Sequence, residues 1–154
     1  MNKFINDKEE GVWEYYYKDG KISSTGKFEN GLESGLWRYF HENEEVSLEG
    51  AYVLGEQDGL WRHFDENKNL IFKGMYIKGL EEGIWEYYYE DGTLDSIGNF
   101  YNGEQVGEWI YYYENGQIEK KGMYKNGVSE GEWIYYSQEG KILEKKNFLN
   151  GIEF

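Results

Sequence analysis

Two histidines, two arginines and one aspartate are the residues of this chain whose types and placement invite chemistry. His41 and His63 are the only histidines and Arg38 and Arg62 the only arginines, and Asp65 stands two residues beyond His63. An imidazole and a carboxylate two residues apart on a strand share one face, which is how a metal site or an acid–base pair begins. A metal ion needs three or four convergent ligands, and no third accompanies His63 and Asp65. His41 lies two strands from Asp65 in the pattern described below, roughly 9–10 Å away, too far to share an ion. The serines have no consistent base beside them, and no glycine-rich phosphate loop leads into a helix. The acidic pairs Glu9-Glu10, Glu44-Glu45 and Glu81-Glu82 fall at turns or strand ends, where solvated charge is the usual reason, and paired carboxylates for hydrolysis require a cleft. Cysteine is absent, which removes thiol catalysis, thiolate metal sites and disulfides together. The expectation is a chain that is not an enzyme and uses no cofactor or metal. Ordinary drift among interior units accounts for Arg38, His41, Arg62, His63 and Asp65 as sites of chemistry; together they form a candidate partner surface.

The elements that position these residues are set by a repeat. Tryptophan recurs at 13, 37, 61, 85, 109 and 133, always 24 residues apart, and a fixed period in this range marks a chain built by stacking one small unit. The single domain, 1–154, divides into a half repeat over 1–10 and six 24-residue repeats starting at Gly11, Gly35, Gly59, Gly83, Gly107 and Gly131. All 21 glycines fall in four columns of the unit. One column is aromatic at Tyr16, Phe40, Phe64, Tyr88, Tyr112 and Tyr136, and a second at Phe4, Phe28, Tyr52, Tyr76, Phe100, Tyr124 and Phe148. A third is aliphatic, from Ile22 to Ile142. The second and third units alone lose the turn glycine, at Glu44 and Lys68, and they are the units that carry the histidines and arginines.

Each unit reads as a β-hairpin. Runs such as Trp13–Tyr17 suit a pleated, half-buried surface, and glycine with Asp-Gly or Asn-Gly bounds them. Asp19-Gly20, Asp91-Gly92 and Asn115-Gly116 predict two-residue type I′ turns. A turn at Asp19-Gly20 sets Lys18 opposite Lys21, Tyr17 opposite Ile22, Tyr15 opposite Ser24, Trp13 opposite Gly26 and Phe28 opposite Gly11. Each ring is then expected to cover a glycine across the strand pair. The Phe–Gly pairing holds in six units and the Trp–Gly pairing in five, failing where Lys146 faces Trp133. A longer connection over Glu29–Ser34 turns the chain so that Phe28 also neighbours Gly35 and Gly26 neighbours Trp37. The fold class is all-β: a single antiparallel meander of about twelve strands, on the order of 55 Å long, elongated and twisted or trough-shaped.

Charge and composition bound the partners. Thirty acidic against 16 basic residues give a net charge of −14, which repels nucleic acid and anionic lipid surfaces and favours a basic protein. The acidic, unapolar start of the chain is no signal peptide and no apolar run is long enough for a transmembrane segment, so a cytoplasmic location is expected.

The runs GKFENGLESGLWRYF, GNFYNGEQVGEWIYYYENG and GMYKNGVSEGEWIYYSQEG strongly resemble MORN repeats, in the bacterial variant with Gly-x-Trp before a tyrosine cluster, and the resemblance covers essentially the whole chain. It implies one antiparallel hairpin per repeat and a protein–protein interaction role. Similar bacterial proteins are often labelled antitoxins or immunity proteins, and eukaryotic relatives are associated with membranes and phosphoinositides. The acidic balance here argues against a membrane surface. The leading expectation is a non-enzymatic scaffold for a basic protein partner, of antitoxin or immunity type. The alternatives are a self-assembling module extending end to end as a homo-oligomer, and a carbohydrate- or lipid-binding repeat protein using exposed tyrosines.

Overall fold

A computed structural model describes residues 3–154. The described residues are all-β, in fourteen strands joined as antiparallel meanders. They group into two compact units, one through Leu80 and the other from Glu81. The first holds β1 (Lys3–Ile5), β2 (Lys8–Tyr16), β3 (Ile22–Glu29), β4 (Leu32–Phe40), β5 (Val46–Val53), β6 (Glu56–Phe64) and β7 (Leu70–Ile77). The second is built from β8 (Leu80–Tyr88), β9 (Leu94–Tyr101), β10 (Glu104–Tyr112), β11 (Ile118–Lys125), β12 (Val128–Tyr136), β13 (Ile142–Leu149) and β14 (Ile152–Glu153). The count exceeds the expected twelve because β1 and β14 are short strands of three and two residues.

The turn types are the reverse of the sequence expectation. Asn30 and Gly31 both have positive φ, 54° and 82°, and Glu29 pairs directly with Leu32. The two-residue type I′ turn therefore joins successive hairpins, and the connection at Glu29–Ser34 is the tight one. At Asp19-Gly20 only Gly20 has positive φ. Tyr17 N donates to Lys21 O at 2.8 Å and Gly20 N to Tyr17 O at 3.0 Å, which is a three-residue loop closed by a left-handed glycine. Tyr17 thus faces Lys21 and Tyr16 faces Ile22, and Lys18 does not face Lys21. A bulge between Tyr15 and Tyr16 then moves the pairing by one residue. It restores Tyr15 opposite Ser24, Trp13 opposite Gly26 and Gly11 opposite Phe28, so the body of the hairpin keeps the expected register.

Glycine has two separate reasons here. A Cβ on Gly11 would meet nothing within 4 Å, but its φ is +78°, so the first glycine column answers a left-handed backbone and not an aromatic cover. That column sits in a second bulge, which places Phe28 opposite Glu33, not Gly35. Gly26 is different. A Cβ there would stand 2.0 Å from Cδ2 of Trp37, so the ring on Gly26 belongs to the next repeat and not to its pairing partner Trp13. Trp61 lies on Gly50, Trp109 on Gly98 and Trp133 on Gly122 in the same way.

Within each unit the core is consequently a row. All six tryptophans are buried, none more than 7 % exposed. The second aromatic column stands edge-on between them: Phe28 is 5.5 Å from Trp13 and 5.1 Å from Trp37, and Tyr124 is 6.0 Å from Trp109 and 5.1 Å from Trp133. Edge-to-face contact is the favoured aromatic geometry at these separations. Gly50→Ala is expected to lower stability by about 1–3 kcal/mol, because the methyl must displace the Trp61 ring. Gly35→Ala, strained only through its φ of +66°, is expected to cost about 1–2 kcal/mol. Urea unfolding of the two variants checks both values.

Candidate functional site

Hydrogen bonds at both edges of the strands tie neighbouring repeats within each unit. At the three-residue loops, Tyr17 Oη donates to Phe40 O, Tyr89 Oη to Tyr112 O and, at 2.7 Å, Tyr113 Oη to Tyr136 O. His41 occupies the same column, and its Nε2 lies 2.9 Å from Phe64 O. Since a carbonyl only accepts, Nε2 carries the proton in this contact. At the type I′ turns, Gly31 N donates to Glu9 O and Gly103 N to Glu81 O, each at 3.0 Å. The Glu10 carboxylate accepts from Asn30 N at 3.0 Å and Glu82 from Asn102 N at 3.1 Å. These acids were expected to be merely solvated charge; the left-handed turns give them a donor to hold.

The five candidate residues separate among these features. His41 is a repeat-to-repeat tie, and its imidazole spans the gap that strand spacing alone left between it and the Asp65 region. Asp65 accepts from Asn67 N and Asn69 N at 2.8 Å and from Asn69 Nδ2 at 3.0 Å. Desolvation opposes ionisation of this carboxyl, but those bonds outweigh it and, with His41, bring Asp65 below its ordinary range. It shapes its own loop. His63 is on the tryptophan face, 5.1 Å from the Phe72 ring, where other repeats place Tyr15, Tyr39 or Tyr111. Burial first, and then the like charge of His41, hold it below the ordinary 6.5.

Arg38 and Arg62 point the other way, since side chains alternate across a strand and each directly follows a buried tryptophan. Cross-strand pairing puts Arg38 opposite Glu49 and Glu49 opposite Arg62. Arg38 Nε is 3.2 Å and Arg62 Nη2 3.0 Å from the two Glu49 oxygens. One carboxylate, 16 % exposed, thus holds two guanidinium groups that are each 48 % exposed. Glu49 was missed as a member of this group, although the register that sets Trp37 opposite Gly50 already places Glu49 opposite Arg38.

In the second unit the loop edge is strongly acidic. Glu90, Asp91 and Glu114 line a shallow recess beside Tyr89. Burial, followed by the charges of Asp95, Glu119 and Glu114 and a hydrogen bond to Asp95, pushes the Tyr89 hydroxyl up to about 12. Asp91 also accepts from Thr93 N at 2.8 Å, which fixes the loop, whereas Glu90 and Glu114 are exposed.

The hairpin, its tryptophan row and its turns recur with one geometry, and the sequence profile for the MORN repeat variant matches that unit five times, over residues 9–30, 57–78, 81–102, 105–126 and 129–150. The chain belongs to the MORN repeat variant family. Among curated proteins, none matches it. Each matched MORN segment runs from the second residue of the tryptophan strand to the first residue of the next type I′ turn; the first four contain both glycines, and the fifth has Lys146 in place of the second. MORN repeats are a non-enzymatic kind of scaffold. Among the described residues no helix is long and apolar enough to cross a membrane.

Two outcomes follow for the MORN unit. The unfolded chain protonates His63 near 6.5 while the folded chain resists, so stability is unaffected above that pH and falls as pH drops toward the folded pKa. His63→Tyr is expected to flatten this part of the stability–pH curve, measured by urea unfolding between about pH 7 and 5. Tyr113→Phe removes the bond to Tyr136 O and is expected to cost about 1 kcal/mol in the same assay.

Proposed function

We propose that this MORN-repeat chain is a non-enzymatic scaffold that binds a basic protein, in the manner of an antitoxin or immunity protein covering its target. The observation that carries this reading is the acidic loop edge around Tyr89, in a chain of net charge −14. Glu90 and Glu114 are exposed there, and with Asp91 they line the recess beside Tyr89. A partner rich in lysine and arginine is drawn to such an edge, and charge complementarity of this kind governs encounter rate and selectivity. The corresponding loops of the first unit carry Asp19 and Glu42 beside Tyr17, together with Lys18.

The reading makes a salt-dependent prediction, because exposed charges are screened beyond about 8 Å at physiological ionic strength. A pull-down from source-cell lysate, read by mass spectrometry, is expected to capture one basic protein at low salt and to lose it at high salt. Glu90→Lys/Glu114→Lys is expected to weaken that capture about tenfold or more. It leaves Asp91, which holds the loop, in place. Recovery of the bait alone, or a partner retained unchanged at high salt, would overturn the electrostatic reading.

A further inference from the structure

The arginine-bearing face has the opposite character to the loop edge. Arg38 and Arg62 are the chain's only arginines, and two guanidinium groups share one carboxylate, leaving a net positive charge. Each uses a single nitrogen on Glu49, and a guanidinium has five N–H donors in a rigid fork suited to carboxylates. Glu49 fixes both forks side by side across three strands, so little side-chain freedom remains to be lost when a ligand arrives. Two residues before each arginine, on the same face, stand Leu36 and Leu60, 52 % and 47 % exposed. Val12 occupies the same column of the first repeat and is 62 % exposed. An apolar row thus runs beside the two arginines, with Glu14 in their column in the first repeat, and arginine with apolar neighbours is the composition of an interface core.

We propose that this face of β4–β6 is a second docking surface, for an extended acidic segment of a partner protein whose carboxylates engage Arg38 and Arg62 while apolar side chains cover Leu36 and Leu60. Charge complementarity decides the occupant. A basic segment would meet both arginines, and a wholly apolar one would leave their remaining donors unpaired. Glu45 shares a recess with Glu49, and Lys68 holds it in an ion pair at 3.0 Å, so that carboxylate is partly neutralised where it comes nearest the arginines. The scaffold then offers two surfaces of opposite sign, one for a basic partner and one for an acidic segment.

The test uses the full chain and a fluorescein-labelled nine-residue peptide of alternating glutamate and leucine, followed by anisotropy. Saturable binding is expected, reduced about tenfold or more by Arg38→Gln/Arg62→Gln, reduced by Leu36→Ser/Leu60→Ser, and unchanged by Lys145→Gln in the second unit. All three sets of substitutions are at exposed positions, and circular dichroism confirms that each variant keeps its fold. Absence of saturable binding, equal binding of a lysine–leucine peptide, or an unaltered Kd in the arginine variant would overturn the proposal. Sedimentation of the chain alone separates the remaining occupant: a dimer lost in the arginine variant assigns the face to a second copy and overturns the partner assignment.

Discussion

The contact on which the rest of this structure depends is a tryptophan ring laid flat on the backbone of a glycine in the preceding repeat. A repeat array has no globular centre, so its stability is the sum of unit terms and nearest-neighbour terms. Trp37 on Gly26, Trp61 on Gly50, Trp109 on Gly98 and Trp133 on Gly122 are that neighbour term in its largest form. A tryptophan buries about 150–250 Å², and no other side chain in the repeat is buried as completely at every occurrence. The ring approaches so closely that no Cβ fits beneath it, which explains a glycine inside a strand, where glycine is otherwise weakening. The edge-on aromatics at Phe28, Tyr52, Phe100 and Tyr124 then fill the intervals between successive rings.

The edges follow from that row. With one face committed to tryptophan, each repeat has to turn within a fixed register. Type I′ turns do so by taking Asn30, Leu54 and Asn102 into positive φ. Leucine at φ 54° is a conformation that a β-carbon disfavours, and neighbour contacts hold it there: Gly55 N donates to Glu33 O at 3.0 Å. At the opposite edge the tyrosine column, with His41 standing in once, carries a donor across to the next repeat. Tyr17, Tyr89 and Tyr113 and the carboxylates of Glu10, Glu82 and Glu130 are therefore structural, engaged with backbone groups of the neighbouring repeat.

Function is left to what the tryptophan row does not use. The face that bears Arg38 and Arg62 carries no core, and the loops at Glu90 and Glu114 close no core either. Substitutions there leave the tryptophan row untouched. The histidines illustrate the contrast. They looked like the start of a chemical site, yet each stands in a tyrosine column, one as a backbone tie and the other as a neutral ring on Phe72.

Sequence alone determined the repeat, the hairpin in each unit, the cross-strand register and the aromatic columns, because each depends on residue spacing within a few tens of positions. Register also placed Glu49 beside Arg38 for anyone who added along the hairpin. The turn assignment failed because Asp-Gly and Asn-Gly both satisfy a type I′ turn locally. Only the bulges, which add residues on one strand, decided that Asn30-Gly31 makes the tight turn and Gly20 closes a longer loop. Sequence reading set Gly26 between Trp13 and Trp37; which ring lies on it was decided by the tryptophan side chain leaning across to the adjacent strand, so that Trp37 covers Gly26. Tertiary structure alone determined the reach of His41 to the Phe64 carbonyl and the addition of Arg62 to the Arg38–Glu49 pair, since both join one hairpin to the next and the atoms meet only once the repeats are stacked.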